Sequence, residues 1–141
     1  MATPSSPTTR RLSEVALGDV LPALEIPLTA TVIIAGALAS RDYQDVHHDR
    51  DLAIQRGSQD IFMNILTTNG YVGRYVTDWA GPEALLRSVD IRLGAPNYPG
   101  DCMTLRGRVS AKAGDLVSIE VVGANQLGNH VTGTVTLTLP G

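Results

Sequence analysis

The sequence predicts an α+β domain in which an antiparallel sheet wraps around one central helix. Three observations predict it. Ile61, Phe62, Ile65, Leu66, Val72, Tyr75 and Val76 recur at three- and four-residue spacing and make one continuous apolar helix face. Beyond Pro82 the apolar period changes to two and stays there for four segments. The connections between those segments are short and rich in Gly, Pro, Asn and Asp, so they require antiparallel neighbours.

Residues 1–11 are rich in Pro, Ser and Thr and have little to bury, so they are expected to form a disordered leader ahead of a domain over 12–141. The first element is a short edge strand over 24–28. Pro27 is tolerated there because an edge need not donate every ladder hydrogen bond. Thr31 is placed to cap a short apolar helix reaching about Ser40. Residues 41–51 carry no periodicity and read as a loop.

Ser58 is placed to cap the central helix, and Gly81-Pro82 punctuates the chain soon after its end. Gly70 and Gly73 cost that helix about 1 kcal/mol each relative to alanine, which close packing of backbone against the sheet would offset. In the four strands that follow, one face is apolar. Val89, Ile91 and Leu93 form the first, and Met103, Leu105 and Val109 the second. Val117, Ile119 and Val121 form the third, and Val131, Val135, Leu137 and Leu139 the fourth. Turns are expected at 96–101, Gly114-Asp115 and Gly128-Asn129. A ferredoxin-like alternative would need a second long helix between later strands, and the sequence has no room for one.

Composition excludes several function classes. The chain has 141 residues, 43% hydrophobic and 18% charged, the balance of one globular domain with one core. A net charge of -3 and only one Trp, four Tyr and one Phe argue against nucleic-acid binding, which needs a basic face or stacking platforms. The longest apolar run, 32–39, is far short of the roughly 18 residues that a membrane span requires. The N-terminus lacks a hydrophobic signal core, and the single Cys102 can form no internal disulfide; both suit a cytoplasmic protein.

The chemistry is concentrated in residues 41–53. Two of the three histidines and four carboxylates fall within this one loop, and loops on a rigid scaffold are where catalytic groups gather. An imidazole titrating near neutrality and an ionised carboxylate together suit the activation of one water. The same composition also describes an ordinary solvated loop. A metal site built from His47, His48, Asp49 and Asp51 is a third reading, although adjacent histidines point apart and no established ligand spacing is present. Cys102 has no histidine near it in sequence and reads as a small packed residue rather than a nucleophile.

Asp42, His47, Asp49 and Ala53 stand at the spacing Asp-x4-His-x-Asp-x3-Ala without a gap. This segment resembles the signature of the MaoC-like (R)-specific enoyl-CoA hydratases. The resemblance covers roughly residues 20–140. It implies a hot-dog fold, an acyl-CoA thioester substrate, and Asp42 and His47 as a catalytic pair activating one water for syn addition. It implies neither metal nor cofactor. Asp49 falls in the motif and is assigned, with Asn64, to substrate binding. The family's Gly before the aspartate is Arg41 here, its Asn-Pro is Gln44-Asp45, and its His-Gly pair early in the helix is Met63-Asn64. The backbone N–H of Asn64 can still hold a thioester oxygen.

Residues 41–51, 60–66 and 74–82 resemble one branch more closely, the small MaoC-like subunit of actinobacterial steroid side-chain enoyl-CoA hydratases. That resemblance implies a steroid side-chain enoyl-CoA substrate and a hetero-oligomer with a second, larger MaoC-like subunit, often fused to a DUF35 domain. Alternatives are a homodimeric MaoC-like hydratase for fatty enoyl-CoA, a non-catalytic acyl-CoA-binding or scaffold subunit, and a thioesterase. Tyr43, Tyr71, Tyr75 and Trp79 can line a tunnel or simply pack the helix. Arg74 and Arg87 can meet CoA phosphates or stay solvated.

Overall fold

The structure, a computed structural model, describes residues 7–141. After a 3₁₀ turn at Leu12–Glu14, strand β1 (Val20–Pro27) leads into helix α1 (Ala30–Ala39). A second 3₁₀ turn (Asp45–His47), a short helix α2 (Arg50–Gln55) and the central helix α3 (Ile65–Ala80) follow. Strands β2 (Leu85–Leu93), β3 (Cys102–Ala113), β4 (Leu116–Asn125) and β5 (Gly128–Thr138) complete the chain. The five strands form one antiparallel sheet in the order β1-β3-β4-β5-β2. Val72, Tyr75, Val76 and Ala80 of α3 are buried together with Met103, Leu105, Val109, Ile119, Val121, Val131 and Val135 of the sheet. This is the wrapped-helix architecture that the two apolar periods require.

Strands β3, β4 and β5 keep the expected inward faces. β2 does not. It is joined to β3 in sequence but pairs with β5 at the far edge, Leu86 opposite Leu137 and Leu93 opposite Val131. Its face is largely exposed, with only Val89 and Ile91 half-buried against the core. The connection 94–101 is therefore a crossover rather than a tight turn. It is held by buried Asn97, whose carbonyl accepts from Met63 N, and by Asn125, whose Nδ2 donates to Pro96 O and Asn97 Oδ1 at 2.9 Å each.

The helix starts also move. α1 is capped by Thr29, whose Oγ1 accepts from Val32 N, and Thr31 lies inside the first turn. α3 begins at Ile65 under an Asn64 cap, not at Ser58. Residues 61–64 share the helical apolar spacing, yet tertiary hydrogen bonds hold them outside the helix. Phe62 N donates to Val46 O, and Met63 N to Asn97 O. The segment read as a loop contains the Asp45–His47 turn and α2.

Close backbone approach is found at a different glycine from those expected. A Cβ at Gly70 would meet nothing within 4 Å, and one at Gly73 only a Leu86 methyl at 3.9 Å. A Cβ on Gly36 of α1, by contrast, would fall 2.3 Å from Thr67 Oγ1, so that glycine is what lets α1 seat on α3. Part of the stretch 1–11, expected to be a disordered leader, is tied to the domain. Thr9 is buried with its hydroxyl accepting from Glu83 N, Arg10 N donates to Ala80 O, and the Arg10 guanidinium lies 4.8 Å over the Trp79 ring. Polar residues here are ordered by backbone and side-chain hydrogen bonds rather than by apolar burial. Residues 1–6 lie outside the described residues.

Candidate active site

The site is assembled where the end of α1 meets the start of α3. Ser40 terminates α1, and its hydroxyl donates to Gly36 O at 2.7 Å. Arg41 then takes φ +57°, the left-handed region that favours glycine. That reversal lets Asp42 N donate back to Ala37 O and turns the following residue toward α3. The Asp45–His47 turn comes next. Arg56 locks it through Asp45, at 2.9 Å from Oδ1 and 3.0 Å from Oδ2, and the guanidinium's hydrogen bond holds the Asp45 carboxyl below its ordinary pKa.

His47 is 7% exposed. Its Nδ1 lies 2.7 Å from Phe62 O, and its ring sits edge-on to the Phe62 ring at 4.9 Å. A carbonyl can only accept, so Nδ1 carries a proton, and the neutral form of this ring has Nε2 as its acceptor. That Nε2 lies 3.4 Å from Asp42 Oδ2. Two acceptors that face each other at this distance make no hydrogen bond of their own. The imidazole and the carboxylate are placed to accept both hydrogens of one water, one each, and leave its oxygen lone pairs free.

Asn64 lies directly behind the pair and is 1% exposed. Its Oδ1 accepts from Thr67 N and Thr67 Oγ1, and its Nδ2 donates to Ser40 Oγ at 2.9 Å and Asp42 Oδ2 at 3.1 Å. Among the described residues no group accepts the Asn64 backbone N–H. It joins the free first-turn N–H groups of α3, where the helix dipole favours developing negative charge.

Beside His47 a cleft of about 270 Å³ is lined by Phe62, Met63, Ile65, Leu93, Gly94, Pro96 and His130. On the other side of the first turn of α3, a groove of about 390 Å³ runs between α1 and α3. Ser40 lies on its wall, with Leu66, Thr67, Gly70, Tyr71 and Arg74. His130 lines the cleft and was missed by sequence reasoning. Its Nδ1 donates to Ala95 O at 2.7 Å, and its Nε2 accepts from Thr68 Oγ1 at 2.8 Å. Burial holds its pKa below the ordinary value, against the opposing effect of the Ala95 carbonyl. The only local signal was a histidine directly ahead of the apolar face that begins at Val131.

Other assignments change. Asp49 is not at the cleft: its carboxylate accepts from Leu52 N and caps α2, the use to which a helix-start carboxylate is suited. His48 bonds Tyr43 O through Nε2, so the histidines and Asp49 do not converge as metal ligands. Tyr43 is 65% exposed, Tyr71 lines the groove, Tyr75 is buried in the core and Trp79 packs beneath Arg10. Arg74 pairs with Asp78 one turn on. Cys102 is exposed.

No family model matches the chain. It is 54% identical over 123 residues to the 3-oxo-4,17-pregnadiene-20-carboxyl-CoA hydratase beta subunit of Mycobacterium tuberculosis, covering 87% of this chain and 95% of that subunit. The chain belongs to the MaoC-like hydratases. A chain in the crystal structure of the ChsH1-ChsH2 complex of Mycobacterium tuberculosis, also 54% identical, superposes with a TM-score of 0.87 over 88% of this chain and 98% of that one. The unliganded R-hydratase PhaJ1 of Pseudomonas aeruginosa superposes at 0.83, covering 91% of this chain and 84% of that one. At 18% identity it shows the shared hot-dog fold alone. In this MaoC-like chain the position before Asp42 is left-handed and is filled by Arg41. Among the described residues no helix is long and apolar enough to cross a membrane.

Proposed function

We propose that the chain is the catalytic subunit of an enoyl-CoA hydratase that adds water to the side-chain double bond of a steroid enoyl-CoA thioester in steroid catabolism. The observation that carries this reading is the buried Asp42–His47 pair, with His47 Nδ1 held on Phe62 O and Nε2 turned to the carboxylate, in a chain 54% identical to a steroid-thioester hydratase subunit. Asp42 and His47 accept hydrogen bonds from the two hydrogens of one water. As its oxygen bonds to the β carbon, one proton passes to the pair, and the thioester carbonyl becomes an enolate. The start of α3, with the Asn64 N–H, suits that charge. The pair then returns a proton to the α carbon on the same face, so that H and OH are both delivered from one water.

Size argues for a partner. A cleft of about 270 Å³ falls below the ~300–1,000 Å³ of sites that enclose a drug-sized ligand, and a steroid joined to CoA is larger still. A second MaoC-like subunit would complete the acyl-CoA site, as the ChsH1-ChsH2 pairing of the relative suggests. The cytoplasm, where CoA thioesters and a lone free thiol are both at home, is the compartment this reading requires.

The test uses the chain alone and coexpressed with a second MaoC-like subunit, supplied with a steroid side-chain enoyl-CoA or crotonyl-CoA. The complex should hydrate the steroid thioester, and Asp42→Asn should lower its kcat by about 10²–10⁴-fold with the fold intact. Full activity in that variant would end the assignment. Crotonyl-CoA turnover by the isolated chain would favour a homodimeric fatty enoyl-CoA hydratase instead.

A further inference from the structure

The Asn64 side chain has a second connection that its place at the start of α3 does not require. As a helix cap it needs only its Oδ1, which accepts from Thr67 N. Its Nδ2 nevertheless spends both hydrogens on the site, on Asp42 Oδ2 at 3.1 Å and Ser40 Oγ at 2.9 Å. The amide orientation is fixed by chemistry: the Thr67 N–H can meet only an oxygen, so the NH₂ must face the carboxylate. Ser40 fits the same assignment, since its hydroxyl is already donating to Gly36 O and has lone pairs left for Asn64. All four hydrogen-bonding positions of the carboxamide are filled, in a side chain that is 1% exposed.

We infer that the Asn64 carboxamide is a positioning residue that assigns separate tasks to the two oxygens of Asp42; this rests on the hydratase reading above. Oδ2 is the anchored oxygen, held by the Asn64 N–H and facing His47 Nε2 at 3.4 Å. Oδ1 receives only a long contact of 3.4 Å from Gln44 N, so it is the oxygen left to accept the water proton. Without the anchor the carboxylate would rotate about its last bond, and the two acceptors would no longer hold one water in register. A glycine at this position keeps the backbone N–H but has no such anchor, so this chain secures its carboxylate from a side chain where the family's glycine has none.

Two variants of the assembled complex test this, assayed with a steroid side-chain enoyl-CoA. Asn64→Ser and Asn64→Asp both keep an oxygen able to cap α3. The first is too short to reach Asp42, and the second presents an acceptor where a donor is needed. Near pH 8 each should lose about 10- to 100-fold in kcat, the effect of one hydrogen bond to a charged group, with KM within about threefold and melting temperature close to the parent. On acidification Asn64→Asp should regain activity relative to Asn64→Ser, because two adjacent carboxyls then share a proton that can be donated to Oδ2. A merely structural cap would show no such recovery. Asn64→Ser with parental kcat, a loss confined to KM, or parallel pH profiles of the two variants would overturn the inference. Asp42→Asn run alongside separates the two claims: if it abolishes turnover while Asn64→Ser does not, only this inference fails.

Discussion

Two buried histidines flank one cleft, and they differ at a single nitrogen. His47 and His130 each donate Nδ1–H to a backbone carbonyl at 2.7 Å, Phe62 O in one case and Ala95 O in the other. Both are nearly inaccessible. At His130 the second nitrogen is occupied by the Thr68 hydroxyl at 2.8 Å. At His47 it faces a carboxylate oxygen at 3.4 Å with no donor between them. The first arrangement is closed: every hydrogen-bonding position is used, and the ring ties the 94–96 connection and β5 to α3. The second leaves an acceptor open beside a cleft, which is what a base needs. The difference lies in hydrogen-bonding valence, not in residue type or burial.

Exchanging the two roles is the strongest test. His47→Ala should lower kcat of the complex by about 10²–10⁴-fold and cost less stability than His130→Ala, because its Nε2 holds no second protein partner. His130→Ala should do the reverse. It strands the Thr68 hydroxyl and the Ala95 carbonyl and opens a cavity, a loss of about 2–4 kcal/mol in denaturant unfolding with a much smaller fall in kcat. Equal catalytic losses from the two variants would erase the distinction.

Acid should sharpen it. Burial lowers the His130 pKa in the folded chain, so the unfolded chain binds that proton more readily. The stabilisation from neutral His130 is complete above the unfolded value near 6.5 and is lost as pH falls below it. Melting temperature should therefore drop on acidification below about pH 6.5, and the drop should shrink in His130→Asn. A slope unchanged by that substitution would mean that another group sets it.

The smallest effect concerns the local turn that delivers Asp42. Arg41→Gly relieves a left-handed φ but gives the unfolded chain more freedom, so stability should rise by at most about 1 kcal/mol and activity should persist. Arg41→Val, branched at the same φ, should lose both stability and turnover, measured by thermal unfolding and hydration rate.

Legibility followed the range of the causes. The Asp42-to-His47 spacing was visible because one tight turn brings those residues together. The N-terminal limit of α3 was not, because Ile61 and Phe62 fit the helical period while backbone partners at Val46 and Asn97 hold the segment outside the helix. Asp49 was misplaced because a motif position carries no record of whether a carboxylate caps its own helix or faces a ligand. His130 was missed because its partner Thr68 is 62 residues away, and its local signal was slight.

By itself the sequence determined the two apolar periods, and with them a helix against an antiparallel sheet, the β3-β4-β5 hairpins, and the segment carrying the carboxylate and imidazole. Burying apolar faces and closing short turns are local demands that neighbouring residues answer. Only the tertiary structure decided that β2 crosses to the far edge beside β5, that Asn64 rather than Ser58 opens α3, and which histidine keeps a nitrogen free. Those outcomes depend on hydrogen bonds between groups far apart in the chain, and the pattern of residue types does not encode such distances.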